Sequence, residues 1–511
     1  MAGRNPVGLL YNRSNESAAY RALGNISIDY TLPFFRDIRA NLNVGFDYQQ
    51  GSGNVAVNDS AASNYFQKGV RSQYKQERSN KLIEFYLNYT KNLPELNSRM
   101  EFMAGTAYQD FLTTNYFYQR NTYRPYLSNG VLVDTLADDK PPVFPLDKPQ
   151  NRLASFFGRL QYSFMEKLNL TFTLRADGSS RFAPKQRWGY FPSAALAYKV
   201  IEDQSNEKFL NLIKLRAGWG ATGQQDIGAN YSYQSYFNLS SLTAQYQFGD
   251  SYYQMARPSA YDPNIKWETT TTYNGGIDIG LLQDRISASV DLYFKKTDDL
   301  LNVVSTPAGA NFGTQVLTNV GNVENRGVEI QINTIPVKTN DFQWNLGFNV
   351  TANDNKITKL TAIRDSLDPG TRVGGISGGT GNTIQIYSVG YPVNSFFVFK
   401  QVYDEKGKPV EGVYQDLNGD GILNQSDMYH YRQPSPRVFY GISSNFTYKG
   451  AFLGFVIRGS EGNYVYNNVE SNSGTYQAIL AQSTNISNAS ANVLDSRFTG
   501  VGLNADYRLL S

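Results

Sequence analysis

The sequence has no cysteine and a single histidine, His430. Those two absences exclude a disulfide framework, thiolate metal centres, a cysteine nucleophile and any site that needs two imidazoles. No stretch approaches the ~18 consecutive apolar residues of a transmembrane helix. The opening MAGRNPVGLL lacks the long apolar core of a signal peptide. Neither sign of charge predominates: 47 Lys and Arg stand against 44 Asp and Glu, a net of +3. That balance leaves no electrostatic footprint for nucleic acid. What the chain does have is 37 Tyr, 30 Phe and 44 Gly in 511 residues. Such a mixture suits many strands, tight turns and amphipathic rings parked at interfaces. Composition by itself leans toward a large soluble all-β protein. The residue pattern points elsewhere.

From Asp37 to Tyr48, Ile38, Ala40, Leu42, Val44, Phe46 and Tyr48 fall on one side, and Arg39, Asn41, Asn43, Gly45 and Asp47 on the other. Period-two alternation of this length predicts a β-strand with one apolar and one polar face. The pattern recurs. Leu168, Leu170, Phe172 and Leu174 oppose Asn169, Thr171, Thr173, Arg175 and Asp177. Ile286, Ala288, Val290, Leu292 and Phe294 oppose Arg285, Ser287, Ser289, Asp291 and Tyr293. Phe342, Trp344, Leu346, Phe348 and Val350 oppose Gln343, Asn345, Gly347, Asn349 and Thr351. About ten residues is what a tilted strand needs to cross a bilayer's hydrocarbon, and more than the usual strand of five or six.

The connections decide between soluble sheet and membrane barrel. Seven hairpins are predicted, at about 18–32/38–49, 79–91/98–112, 151–164/167–177, 188–201/209–220, 267–281/284–297, 326–336/341–353 and 437–449/451–459. Within them the turns are short, as at Pro33–Arg36, Asn92–Asn97, Met165–Glu166, Gln283 and Pro336–Asn340. Between them the links are mostly long: 50–78, 113–150, 221–266 and 354–436. Short turns at one end and long loops at the other mark an outer-membrane β-barrel, whereas long structureless loops are uncommon in compact soluble domains. The polar faces would then line a wet lumen and the apolar faces would meet lipid. The expected fold is all-β, an antiparallel transmembrane β-barrel with long extracellular loops. Phe34, Phe35, Tyr48, Trp188, Tyr190 and Phe191 stand where aromatic girdles are expected.

Several stretches are familiar. DGSSRFAPKQRWGYFPSAALAYKV (Asp177–Val200), the run from Ile213 through WGATGQQDIG to Gly228, YDPNIKWETTTTYNGGIDIGLLQDRISASVDLYFKKTDDLL (Tyr261–Leu301) and VGNVENRGVEIQI (Val320–Ile332) resemble the SusC/RagA family of TonB-dependent transporters. The resemblance runs over nearly the whole chain. It implies a barrel of about 22 strands closed by an N-terminal plug, driven by the TonB complex and capped by a SusD-like surface lipoprotein. It implies glycan cargo, with peptides in some branches. Against that pattern the sequence supplies about fourteen strands, with Ala505–Leu510 as the start of another, and no visible plug. The expectation is that residues 1–511 form an internal barrel fragment of a longer protein.

The sharpest local motif is DLNGDGILNQSD, Asp416 to Asp427, within the 354–436 connection. Asp416, Asn418 and Asp420 occupy positions 1, 3 and 5, Gly421 position 6, Ile422 position 7 by its carbonyl, and Asp427 position 12. This is EF-hand-like calcium spacing, with oxygen ligands on alternate residues and Gly at the sharp turn, though Asp replaces the bidentate Glu usual at position 12. An Asn-Gly/Asp-Gly turn without metal fits the same residues. His430 reads as a solvent-facing loop residue. GGISGGTGN, Gly374 to Asn382, lacks the Lys-Ser/Thr of a phosphate loop and reads as flexible loop. YSYQSYF (Tyr231–Phe237) and SYYQMARPSAY (Ser251–Tyr261) would present aromatic faces outside the cell, to sugar rings, peptides or a partner lid. With one His and no Cys the chain offers little material for a nucleophile and base, so no enzyme is expected. The leading expectation is outer-membrane import; the rival is a structural or adhesive barrel that transports nothing.

Overall fold

The computed structural model describes residues 6–62, 64, 69–121, 123–128, 131–136, 145–203, 209–228, 230–240, 244–306, 313, 315–361, 369–376, 382–476, 489–499 and 509–510. Fourteen long strands form one continuous sheet. They are β1 (Arg13–Thr31), β2 (Ile38–Val57), β3 (Val70–Leu93), β4 (Ser98–Asn121), β5 (Gln150–Phe164), β6 (Leu168–Ser179) and β7 (Trp188–Glu202). The path continues with β8 (Leu210–Gln224), β9 (Glu268–Leu281), β10 (Ile286–Ser305), β11 (Gln315–Lys338), β12 (Phe342–Lys359), β13 (Val438–Tyr448) and β14 (Ala451–Glu461). Spatial order follows chain order and every pair is antiparallel, an up-and-down meander with Pro145–Asp147 added beside β4. All seven predicted hairpins are present.

Several of the hairpin turns are tight because their backbones accept the left-handed region. Met165 and Glu166 have φ of 50° and 56°, and the Lys167 N–H donates to the Phe164 carbonyl. Lys449 and Gly450 (φ 45° and 94°) close the last hairpin in the same way. Positive φ at both central residues gives a type I′ turn, whose twist matches that of the strands it joins.

Cross-strand register carries each side chain's face from strand to strand, since paired residues share a face. Leu42, Phe85, Thr106, Phe156, Ala176 and Tyr190 form one such row, and Leu174 opposite Pro192 lies on the same face. This apolar face leaves Phe46, Phe85, Leu174, Leu215 and Leu292 exposed over a continuous band. Rings bound it at both margins: Tyr48, Trp188, Tyr190, Trp219 and Tyr273 toward the long loops, Tyr30, Tyr198 and Tyr448 toward the short turns. Above the upper ring the same face becomes charged, with Lys81 opposite Asp110 and Asp110 opposite Arg152, and an Arg326–Asp354 ion pair further round.

Several strands outrun their predicted limits on the long-loop side. β3 and β4 each have 24 residues, or about 80 Å of extended chain, against the roughly ten residues a tilted crossing requires. The 354–436 connection is correspondingly shorter, from residue 360 to 437. The loops also carry structure of their own. Residues 371–375, 383–387, 395–399 and 428–430 form a small four-stranded sheet around buried Ile384, Phe396 and Val398. Phe237–Leu239 pairs with Ala256–Pro258, and Gln245–Phe248 with Ser251–Gln254. Among the described residues no helix is long and apolar enough to cross a membrane. Most of the Ala505–Leu510 strand expectation, and residues 377–381 of the Gly-rich run, fall outside the described residues.

Candidate functional site at the polar face and its mouth

The polar face is charged in matched sets. On β8, Arg216 donates to Asp278 Oδ1 (2.8 Å) and Oδ2 (3.0 Å) and to Asp291 Oδ1 (2.7 Å) and Oδ2 (2.9 Å), on β9 and β10 respectively. Ser289 joins the cluster, and Lys214 approaches Asp278 at 3.3 Å. Gly276 makes room, since a Cβ there would lie 2.3 Å from Asp291 and 2.9 Å from Arg216. Arg175 pairs with Asp177 and donates to buried Ser155, and Arg21 pairs with Asp47. The polar faces predicted to be wet are therefore ionic, and each of these arginines is neutralised locally.

At the long-loop end of β6 to β10 the familiar segments converge. Phe182 and Ile265 are fully buried, and Phe191 and Trp267 nearly so, with Leu153, Ile227 and Leu301 packed around them. The Trp267 ring lies 5.2 Å from Phe182 and 5.3 Å, edge on, from Phe191, and its Nε1 donates to the Arg187 carbonyl. Buried Ser179 donates to Gln225, and Arg181 pairs with Asp226. Phe191 sits opposite Arg175, which places this aromatic knot on the polar face.

This geometry agrees with comparison to known proteins. Residues 2–435 match the family model described as TonB dependent receptor-like, beta-barrel. The chain belongs to that family. It is 38% identical over 506 residues to the TonB-dependent receptor SusC of Bacteroides thetaiotaomicron, covering 98% of this chain and 49% of that protein. TonB-dependent receptor P26 of Formosa agariphila is 29% identical over 483 residues, 91% of this chain and 47% of the relative. The chain thus spans about half the length of the curated relatives it matches. Among solved structures, the RagAB peptide transporter superposes with a TM-score of 0.74 at 20% identity, over 91% of this chain and 50% of that one. The fourteen strands are part of a TonB-dependent receptor barrel in the bacterial outer membrane: the apolar band meets lipid, the ionic face lines the lumen and the long loops lie outside the cell.

In this barrel the two tyrosine-rich stretches stand on the extracellular loops. Tyr236, Phe237, Tyr246, Phe248, Tyr252 and Tyr253 are all exposed there, an apolar patch on two short hairpins. Tyr231 instead turns back to the wall, where its hydroxyl meets the Gln150 backbone.

The 416–427 loop brings its calcium-spaced residues together on one turn. The Asp416 carboxylate accepts from the N–H of Gly419 (2.6 Å) and Gly421 (2.8 Å), and Asp420 accepts from Ile422 (2.8 Å). Asn418 accepts from the Asp420 N–H and donates to the Asp420 carboxylate. Asp427, fully buried, accepts from the N–H groups of Leu417, Asn418 and Asn424. Those three bonds hold its carboxyl below the usual carboxylate range. Among the described residues no cluster of three or more His, Cys, Asp or Glu is disposed as a metal centre.

His430 departs from expectation. It is half-buried, stacked face to face on Tyr391 (3.4 Å between centroids, 8° between planes), with Phe397 at 5.0 Å and Arg372 over the Phe397 ring. Burial pushes its imidazole down to about 4, so it is neutral at physiological pH. Spacing could not reveal this, because Tyr391 comes from a different stretch of the connection.

Proposed function

We propose that this chain forms the barrel wall of an active nutrient importer. Cargo is captured at the extracellular mouth beneath a SusD-like surface lipoprotein and passes along the polar lumen when the TonB complex acts on an N-terminal plug. We assign the cargo to oligosaccharides, with peptides as the second class because the RagAB structures are of a peptide transporter. No catalytic step is assigned to it. The observation that carries the reading is the division of the wall: an unbroken apolar band outside, and inside it the ion clusters of Arg21, Arg175 and Arg216. A structural or adhesive barrel also needs the first face; the second, in a wall this wide, gives polar cargo a wet path. Deleting the gene in its native host and measuring uptake of labelled oligosaccharides and peptides tests the reading. Loss of one uptake is expected; unchanged uptake of both favours the adhesive barrel.

We further propose that the 416–427 loop takes one calcium ion through Asp416, Asn418, Asp420, the Ile422 carbonyl and Asp427. Side-chain oxygens at positions 1, 3, 5 and 12 and the left-handed Gly421 (φ 78°) at position 6 support this. Adding calcium to the purified protein should protect the loop from protease, and D416N/D420N should abolish the protection. A loop cleaved at the same rate with calcium and with chelator overturns it.

A further inference from the structure

Above the lumen end of β12 to β14, the loops that follow β12 and β14 and the segment leading into β13 enclose a cavity of about 300 Å³. Its wall includes Tyr391, His430, Tyr431, Arg432, Arg437 and Tyr464, and among the described residues no carboxylate lines it. The Arg437 carbonyl accepts from the Asn353 N–H, and Asn353 accepts the Tyr293 hydroxyl on the lumen face, so the cavity adjoins the route that cargo would take. Its volume lies at the lower end of small-ligand sites.

The arginines set it apart. Along the lumen Arg21, Arg175 and Arg216 are each matched by aspartates. Among the described residues neither Arg432 nor Arg437 forms an ion pair; Glu461, whose backbone carbonyl accepts from the Arg437 N–H, keeps its carboxylate outside the cavity wall. Arg432 lies over two rings, 5.4 Å from Tyr431 and 5.0 Å from Tyr464. Those rings meet edge to face (6.4 Å between centroids, 70° between planes), so the guanidinium rests in the angle between them, and its N–H groups can still reach a carboxylate at the cavity. His430, neutral and stacked on Tyr391, adds a flat wall with no competing charge.

We propose that this cavity binds a carboxylate, clamped by Arg432 and Arg437, on a ligand whose adjoining ring or side chain packs against the tyrosines. The assignment rests on the import reading for its biological use and narrows the cargo to molecules carrying an acidic group. Two sources share that chemistry: a uronic acid residue of a glycan and the carboxylate of a peptide.

The test is a binding titration of the purified protein in detergent with two matched pairs. Trigalacturonate is set against neutral galactotriose, and an N-acetylated tripeptide against its C-terminal amide. The acidic member of at least one pair should bind about tenfold or more tighter than its neutral twin, the worth of a charge-assisted bidentate contact. R437Q should remove most of that preference and R432Q/R437Q all of it. R437Q leaves the Arg432 stack untouched, and unchanged heat-modifiable gel mobility certifies its fold. The pair that shows the preference identifies the source. Equal binding within both pairs, or a preference that survives in folded R437Q and in the double variant, overturns the assignment. Uptake is scored separately. Import without carboxylate preference leaves the transporter standing and removes the cavity's role, whereas carboxylate binding without uptake does the reverse.

Discussion

Two aromatic groups stand at the extracellular end of the wall, and they are built to opposite ends. The knot of Phe182, Phe191, Ile265 and Trp267 is filled: its rings touch, its indole N–H has an acceptor, and two glycines are pressed beneath it. The group of Tyr391, His430, Tyr431 and Tyr464 surrounds open space and two guanidiniums that, among the described residues, form no ion pair. Dense packing of rings, with the indole N–H satisfied, is what a strut requires. Space, fixed rings and unspent charge are what a ligand requires. The stretches most recognisable in the sequence built the strut, so recognisability here tracks structural constraint rather than contact with cargo.

The comparison breaks first at the knot if it is wrong. Trp267→Ala should destabilise the purified barrel by about 3–5 kcal/mol, the usual cost of removing a buried large aromatic, read as a lower temperature of heat modification. A shift no larger than that of R437Q, which should stay within about 0.5 kcal/mol of the parent, would mean that the knot is no strut. Gly223→Ala should cost less, about 1–3 kcal/mol by overpacking. Its new Cβ would fall 2.1 Å from the Phe191 ring and 2.9 Å from Trp267. A neutral Gly223→Ala would show that the rings have slack.

Much of the wall was legible before the structure. Ile38 to Tyr48, Leu168 to Asp177, Ile286 to Phe294 and Phe342 to Thr351 alternate because one face meets lipid and the other water, and those faces are the ones observed. Legibility ended where that contrast ends. Past Tyr48 both faces of β2 to β4 meet water, so Gln76, Glu77 and Asn115 show no alternation although their strands continue unbroken. Strands of three residues, such as Phe237–Leu239, are too short for any period. The cavity was illegible for a different reason. His430 is unique in the sequence, but its stacking partner comes from another segment, and the absence of a carboxylate from the described cavity lining is a property of three dimensions.

Within the extracellular connection the 416–427 turn resembles the strut, since Asp427 is buried and accepts three backbone N–H bonds. Asp427→Asn keeps the volume but turns an NH₂ toward backbone N–H donors, so the loop should open and be cleaved roughly tenfold faster by protease, as expected for lost local stability. Acid should act in the same direction. The folded carboxyl sits below its unfolded value of about 3.9, so its contribution is complete above that pH and is lost as pH falls through the lower folded value. Asp427→Asn protein with parental cleavage rates would place the loop's stability elsewhere.

The smallest expected effect separates the cavity wall from that turn by pH alone. His430 is neutral when folded, with its imidazole at about 4, whereas an exposed histidine titrates near 6.5. The unfolded segment therefore takes a proton first, and the connection should lose stability as pH falls from about 6.5 to about 4, before Asp427 begins to titrate. Because the ring is only half-buried, water screens part of the penalty and the loss should be modest, a few-fold rise in protease cleavage. His430→Phe keeps a flat ring on Tyr391 and removes the titration, so it should abolish the upper step and leave the lower one. An upper step that persists in His430→Phe would mean that the stack does not set this pH response. The chain's only histidine would then be silent, and a group other than an imidazole would carry the step.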